Sequence, residues 1–553
     1  MNTTLSYKER QRALADMTRD GLDVLIIGGG ITGCGVLLEA AARGLRAGLI
    51  DKADFASGTS SKSTKLAHGG IRYLAHFDFG LVYEALIERG RMIRNAPHLV
   101  KPLGFVLPLY KENRRPLDVP IVPPGGVGLS LIMQAGLLMY DIMSGKLGIK
   151  MHQRLNLQKA LEMAPCLKTE GLTSAFIYYD AQTDDTLLTM NVLRTAVQFG
   201  ARMANYVELI GFDQETERGK ITAARVRDVL TGDEHQIRVG AVINAGGVFA
   251  GRIEAMAGES KISIKPAKGV HLTVPREVLG LGEFAAVLPE TPDGRLIFLV
   301  PWNTRVTIGT TDSKGGDIDN PTANDDDIDY LLNTTNLYLK TKLNRNHIIS
   351  NWAGYRPLIS PSGAQASTSK LSRTHVVNDG PGGMITITGG KLTTYRRMAQ
   401  DTLDHLVKRQ GKAVTHPTTD LPLDGADRWQ EAAAKIDAVA GKYDWSADVV
   451  KRIKQYGSEA LKFVALCDSD MAMAKPIVPD LPYVMAEVAY ACRYEMAMRL
   501  DDVITRRLHL NFEDWARGVD AAPAIAKCMS RELGWSVNET EAQLHSYIAK
   551  AMD

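Results

Sequence analysis

The chain has 553 residues, too many for one simple hydrophobic core, so two or three domains sharing interfaces are expected. Its 45% hydrophobic and 23% charged residues are ordinary for a folded protein and exclude a disordered or fibrous chain. The 65 basic residues are balanced by 63 acidic ones, and the nearest thing to a basic run, Lys111 to Arg115, is broken by Glu112, so no nucleic-acid partner is expected.

Met1 to Asp20 lacks an apolar signal core and carries Glu9, Asp16 and Asp20 among its basic residues. Neither a secretion signal nor a transit peptide is therefore expected, and the mature chain is taken to begin here. Asp23 to Ile27 reads as a short buried strand, followed by a glycine turn, a small-residue helix to about Gly44 and a second strand from Leu45 to Asp51. This is a β-α-β opening. The polar stretch Ser57 to Lys65 and the run His68-Gly69-Gly70-Ile71-Arg72-Tyr73 are loop or helix-start material, and Phe79 to Asn95 is a predicted helix.

Val119 to Tyr140 contains no charged side chain and has the length of a membrane span. Pro123-Pro124-Gly125-Gly126 breaks it, which leaves Val127 to Tyr140 as a helix better suited to internal packing or an interface than to crossing a bilayer. A further helix is predicted over Asp184 to Phe199, then strands over Ile221 to Leu230 and Ile237 to Ile243, the latter returning to the first sheet. A second sheet is predicted from Gly269 to Val274, Leu296 to Val300 and Arg305 to Thr310. Met384 to Thr388 is a strand leading into a helix. After a break near His416 to Pro422 the pattern turns helical, with segments at Trp429 to Val439, Ala447 to Tyr456, Val484 to Leu500 and Glu541 to Lys550.

The five cysteines, Cys34, Cys166, Cys467, Cys492 and Cys528, fit no metal spacing and point to a reducing compartment; no metal site is expected. The strongest motif is Gly28-x-Gly30-x-x-Gly33 directly after a strand. Gly28 permits the tight turn, Gly30 lets the backbone approach a pyrophosphate, and Gly33 lets helix and strand pack closely. The helix N-terminus, around Thr32, offers N–H groups to the anion. Asp51, closing the second strand, can accept from ribose hydroxyls and repels a 2′-phosphate. NAD and FAD both fit this far. The turns Asn244-Ala245-Gly246-Gly247 and Thr388-Gly389-Gly390-Lys391 shift the balance to FAD, because a long cofactor needs several distant close approaches.

The blocks GGGITGCGVLLEAAARGL (Gly28 to Leu45), DFASGTSSKSTKLAHGGIRYL (Asp54 to Leu74), INAGGVFA (Ile243 to Ala250), KPAKGVH (Lys265 to His271), TIGTTD (Thr307 to Asp312), GYRPL (Gly354 to Leu358), ITGGKLTTYR (Ile387 to Arg396) and LDDVITRRLHL (Leu500 to Leu510) span most of the chain. In them the sequence closely resembles the FAD-dependent glycerol-3-phosphate dehydrogenases, a branch of the FAD-dependent oxidoreductases related to the D-amino-acid oxidases. The resemblance implies an α/β FAD-binding Rossmann-like domain, an antiparallel or mixed-sheet substrate domain and a helical C-terminal domain. The expected division is a discontinuous FAD unit (about 20–110, 180–265 and 350–420) interleaved with the substrate unit (about 111–179 and 266–349), then helices over 421–553. It implies oxidation of sn-glycerol 3-phosphate to dihydroxyacetone phosphate, with electrons passing through FAD to a membrane quinone. The setting implied is the cytoplasm, with peripheral attachment to the cytoplasmic face of a bacterial inner membrane. Self-association into homo-oligomers is left open, and so is the alternative of an oxidase that returns electrons to oxygen as hydrogen peroxide.

At the matching positions His271 is the expected proton acceptor, since a neutral imidazole is available near neutral pH. Arg356 and Arg373 match basic residues of the family's substrate pocket, where a guanidinium fork suits phosphate, and Arg356 can also stabilise a developing alkoxide. Arg72 and Tyr73 are expected beside them. Lys391 can face either a phosphate or the electron-rich edge of reduced flavin. The cofactor set is completed by Ser60, Ser61, Thr64, Lys65, Leu66, His68, Gly69, Gly246, Gly390 and Leu392, some of which serve only to cap turns.

Overall fold

A computed structural model describes residues 4–119, 128–217, 219–291, 293–359 and 374–552. Two sheets organise it. The first is parallel at its centre: Leu22–Ile27 lies between Ala47–Ile50 and Glu234–Asn244, and Ile385–Thr388 extends the parallel run on the far side of Glu234–Asn244. Arg202–Ala204 and the antiparallel Val376–Asp379 close its edges, and Ile221–Asp228 with Val207–Gln214 form an antiparallel flap on the long strand Glu234–Asn244. The central strands are buried on both faces, which is why Val24, Leu25, Ile26 and Ile27 read as an unbroken apolar run rather than an alternation. The small-residue helix, Ile31–Ala42, is almost wholly buried, packing against Asp185–Gln198 and Tyr395–Arg409.

The second sheet runs in the order Ser350–Ile359, Ile264–Pro275, Arg305–Gly309, Ile297–Trp302, Ala285–Leu288, Lys101–Tyr110, Leu172–Gln182 and Leu66–Ala67, with Gln153–Leu155 also on Leu172–Gln182. Its only parallel pairing among the described residues joins Ala285–Leu288 to Lys101–Tyr110. Along Ile264–Pro275 the side chains of Val270, Leu272 and Val274 enter one apolar core with Val306, Ile308 and Ala353. With a two-residue period, His271 and its cross-strand neighbours Gly309 and Trp352 must then face the other way. That opposite face carries the site.

The pairing puts Lys101–Tyr110 and Ser350–Ile359 in the second sheet, although both lie in stretches expected for the dinucleotide unit. We propose that the unit boundaries follow the sheets, moving these strands to the substrate side. The uncharged segment becomes the helix Leu129–Ser144, whose Leu129, Met133, Leu137 and Tyr140 are buried; residues 120–127 of that segment lie outside the described residues. Among the described residues no helix is long and apolar enough to cross a membrane. The C-terminal region is helical. The helix predicted over Val484 to Leu500 ends early, at Tyr494, and is followed by a π-helical turn over Asp502–Arg507. The chain leaves the helix through Glu495 and Met496, the latter in the left-handed region at φ 52°, and Asp502 accepts from the backbone N–H groups of Met498 and Arg499, 2.8 and 2.9 Å away, at the opening of the next turn.

Candidate active site

Three glycine turns lie at the carboxyl edge of the parallel strands, where ligands bind in open α/β sheets. Gly28 holds φ +108°, and a Cβ there would sit 2.6 Å from the Ala245 carbonyl oxygen. At Gly33 an added Cβ would lie 1.9 Å from the Gly28 carbonyl oxygen, so helix and strand meet as closely as backbones allow. The same Gly28 position looks across at Gly246 Cα, 3.1 Å from where the Cβ would be. Gly390, at φ +74°, precedes a 3₁₀ turn and the helix Tyr395–Arg409. At Gly28, Gly33 and Gly390 any larger side chain would strike neighbouring protein atoms, so only glycine lets these turns pack this closely, the arrangement a dinucleotide-binding turn uses.

Asp51 holds the turn in shape. One carboxylate oxygen accepts from Gly29 N–H at 2.6 Å and the other from Ala53 N–H at 2.9 Å. Burial pushes its pKa up to about 6, against the lowering effect of those two donors. Each oxygen keeps a further lone-pair direction, so a ribose contact is compatible with this turn-holding role. Ser60 is at the opening of the helix, where its hydroxyl accepts from Ile31 N–H at 2.9 Å; it caps a backbone donor of that helix. Ser61 is buried and bonds only weakly to the Gly58 carbonyl, at 3.5 Å.

The polar stretch then crosses to the second sheet. Thr59 donates to the Tyr355 carbonyl at 2.6 Å, and Thr64 Oγ1 lies 2.8 Å from His271 Nε2. Lys65, in the left-handed region at φ 58°, turns its ammonium inward to Asp185 at 2.6 Å and over the Trp302 ring. Leu66 pairs with Gln182, while His68 and Thr393 exchange bonds through the Thr393 hydroxyl at 3.0 and 3.2 Å. That exchange ties the 68–70 turn to the segment holding Gly390, Lys391 and Leu392. Gly69 N–H is held by Tyr140 and by Asp180, itself ion-paired with the buried Arg89.

His271 is 2% exposed and lies flat against Trp352, ring centroids 5.0 Å apart and planes within 10°. Its pKa falls to about 3 because burial, then the nearby Arg356 and Lys65 cations, disfavour the imidazolium. At neutral pH the ring is uncharged and carries one lone pair in either tautomer. Arg356 stands two residue pairs beyond Gly354 on the same face, its guanidinium donating to the Thr311 carbonyl at 3.3 Å and the Thr310 hydroxyl at 3.0 Å. Tyr73 and Lys391 come together with the ammonium 4.1 Å from the ring centroid. Arg72 turns aside instead, toward Asp118 at 3.3 Å, a carboxylate it shares with His76. Arg373 lies outside the described residues.

Sequence reasoning missed three contributors. Asp185 orients Lys65 and Ser63; its signal was an acidic pair opening a helix after Thr183. Thr310 and Trp352 sat in quoted or noted motifs, but their roles depend on strand register, which pairs His271 with Trp352 and sets Thr310 beside Arg356. The assembled face, a neutral buried imidazole near the Arg356 and Lys65 cations, suits a small anionic substrate that must lose a proton.

Fold and site together define a dinucleotide-dependent oxidoreductase built on two sheets. Residues 23–396 match the family model for FAD dependent oxidoreductases, and 416–540 match that of the C-terminal domain of alpha-glycerophosphate oxidase. A probable mitochondrial glycerol-3-phosphate dehydrogenase of Caenorhabditis elegans is 37% identical across 97% of this chain and 74% of its own. Glycerol-3-phosphate dehydrogenase 2 of Mycobacterium bovis is 35% identical across 98% and 90%. Among solved structures, the glycerol-3-phosphate dehydrogenase from Bacillus halodurans complexed with FAD superposes with a TM-score of 0.78 at 28% identity, covering 99% of this chain and 98% of that one. The chain belongs to the FAD-dependent glycerol-3-phosphate dehydrogenase family, and its cofactor is FAD.

Proposed function

We propose that the chain oxidises sn-glycerol 3-phosphate to dihydroxyacetone phosphate and delivers the electrons to a quinone at a membrane surface. The observation that carries the reading is geometric: the buried His271 and Arg356 stand on one face of the second sheet, with Thr64 Oγ1 2.8 Å from His271 Nε2. Bound FAD supplies the acceptor for the hydride leaving the secondary carbinol carbon. His271 takes the hydroxyl proton, and Arg356 holds the oxygen as charge builds on it. Lys391, with Tyr73 packed against its ammonium, draws the phosphate. Gly28, Gly30, Thr32, Gly33, Gly246 and Gly390 hold the cofactor's backbone contacts, with Asp51 toward the ribose.

The quinone assignment is supported by an apolar groove of about 190 Å³ between the turn of Ile71 to Phe79 and the helix Leu129–Ser144. Leu74, Phe77, Phe79 and Met139 line it, and it shares the short helix Ile71–Ala75 with Arg72 and Tyr73. Phe77, Leu131 and Ile142 are each at least 60% exposed beside it, an apolar rim that suits peripheral contact with lipid. A second reading, oxygen as acceptor, is favoured only by the name of the matched C-terminal domain.

The test is anaerobic mixing of the holoenzyme with sn-glycerol 3-phosphate while flavin absorbance is followed, then re-oxidation by a soluble quinone or by air. Bleaching by this substrate and faster recovery with quinone than with oxygen are expected. No bleaching with this compound but rapid bleaching with another alcohol or an amine would remove the substrate assignment. Stoichiometric hydrogen peroxide with negligible quinone reduction would make it an oxidase.

A further inference from the structure

The segment His509 to Glu513, deep in the C-terminal region, reaches His271 by two separate routes. Along the first, the Phe512 ring packs on Trp352 at 4.8 Å, and Trp352 in turn lies flat on His271 at 5.0 Å. The position of Phe512 is fixed from its backbone, whose carbonyl accepts from Ser350 Oγ at 2.8 Å. The adjacent Glu513 is buried and clamps the second sheet, accepting from Trp302 Nε1 at 2.7 Å and Asn303 Nδ2 at 3.0 Å. Along the second route, His509 Nε2 lies 2.9 Å from Asp184, the N-cap of Asp185–Gln198. Asp185 beside it holds Ser63 at 2.7 Å and Lys65 at 2.6 Å, the two residues flanking Thr64. Thr64 closes the path with its 2.8 Å contact to His271.

One ring nitrogen of His271 is therefore held through polar contacts linked by two short stretches of backbone, and its ring plane through a chain of aromatic contacts. Both start within five consecutive residues. A catalytic group must be kept within a fraction of an ångström and 10–20° of its working geometry by neighbours that are themselves locked. An imidazole on a strand keeps freedom about χ2 unless something flat presses on it. We propose that Phe512 is a positioning residue for the oxidation, setting the plane of His271 through Trp352, and that this is one task of the C-terminal helical region. The proposal rests on the reading of His271 as the proton acceptor.

The test compares Phe512→Leu, which keeps an apolar side chain but loses the ring, with Phe512→Tyr, which restores one, each alone and in a His271→Asn background. Rapid anaerobic mixing gives the limiting rate of flavin reduction and the substrate dissociation constant separately. Expected for F512L is a limiting rate lower by about tenfold, with substrate affinity, FAD content and melting temperature held. F512Y recovers most of that rate, and F512L adds nothing to H271N, because a residue acting through His271 has nothing left to act on. Equal losses in the Leu and Tyr variants, a wild-type rate in F512L, or a full multiplicative loss on top of H271N would each overturn the proposal. Should F512L fail to retain FAD, Trp352→Phe decides by the same two measurements: a lower limiting rate alone and no added loss with H271N. A wild-type reduction rate in H271N itself would instead discard the proton-acceptor assignment, and with it the premise.

Discussion

His98 and His271 are both buried imidazoles with pKa lowered to about 3, chiefly by burial, yet only His271 lies in the site. His98 Nε2 accepts from the Asn191 amide at 2.9 Å, between the helix Asp185–Gln198 and the chain leaving Phe79–Asn95. The unfolded chain binds these protons near the ordinary value of 6.5 and the folded chain does not. Unfolded protein therefore carries more protons between about pH 6.5 and 3, and stability rises with pH across that window. It is fully present above 6.5 and lost as pH falls toward 3. Replacing His98 by Gln should make the slope of unfolding free energy against pH shallower across that window, measured by urea unfolding at several pH values. An unchanged slope would mean His98 is not buried neutral. At this scale the sequence showed chemistry better than partnership. His271, Arg356, Tyr73 and Lys391 are legible because they sit in blocks that resemble the family, while composition and spacing alone leave Arg356 a surface charge. That Arg72 turns to Asp118, or that Thr64 meets His271, depends on contacts between residues far apart in the chain.

At the scale of elements, the β-α-β opening was legible because its two periods are clean: an apolar run, a glycine turn, then small residues at helical spacing. Phe79–Asn95 and Trp429–Val439 were likewise read to their ends. Lys101–Tyr110 and Leu172–Gln182 were not foreseen, though they pair along nearly their whole length at the heart of the second sheet. Pro102 and Pro108 break the propensity signal of the first, and eight consecutive buried residues from Leu103 to Tyr110 leave no alternation to read. The turn at Gly28 to Gly33 gives a sharp prediction at this scale. Gly33→Ala places a methyl 1.9 Å from the Gly28 carbonyl oxygen, which must push the helix Ile31–Ala42 away from the strand or open the turn. The purified variant should carry less than about a tenth of the wild-type FAD, read from the ratio of visible to ultraviolet absorbance, because the pyrophosphate contacts depend on that approach. Full flavin loading would show that the close packing is dispensable.

Over the whole molecule, the helical C-terminal region is joined to the dinucleotide unit by buried charge. Asp54, just after the Asp51 turn, is fully buried and receives Arg506 at 2.7 Å and Arg507 at 2.9 Å, while Asn205 donates to its other oxygen. Tyr206 and Asp502 extend the network, and the two arginines hold the Asp54 carboxyl below its usual pKa against the cost of burial. Asp54→Asn should cost about 3–5 kcal/mol in chemical unfolding, since it leaves two guanidinium groups buried without full compensation. It should also speed proteolytic release of the C-terminal region; wild-type stability and cleavage would show that the network is not what joins the units. The helical character of that region could be read from its periodicity. Its attachment could not, because Asp54 and Arg507 stand 453 residues apart and nothing local marks either as the other's partner.

The parallel sheet also sets a timetable. Leu22–Ile27 needs Glu234–Asn244 as its neighbour, and that strand needs Ile385–Thr388. A ribosome works from the N-terminus, so the glycine cradle leaves the exit tunnel long before the strands that frame it exist. The nascent chain must hold an unpaired apolar strand edge throughout that interval, the state in which chains of this size are prone to mispair. Cofactor capture is thus expected after synthesis has passed Lys391, and the segment His509 to Glu513, made more than a hundred residues later, reaches the site after all the strands of both sheets.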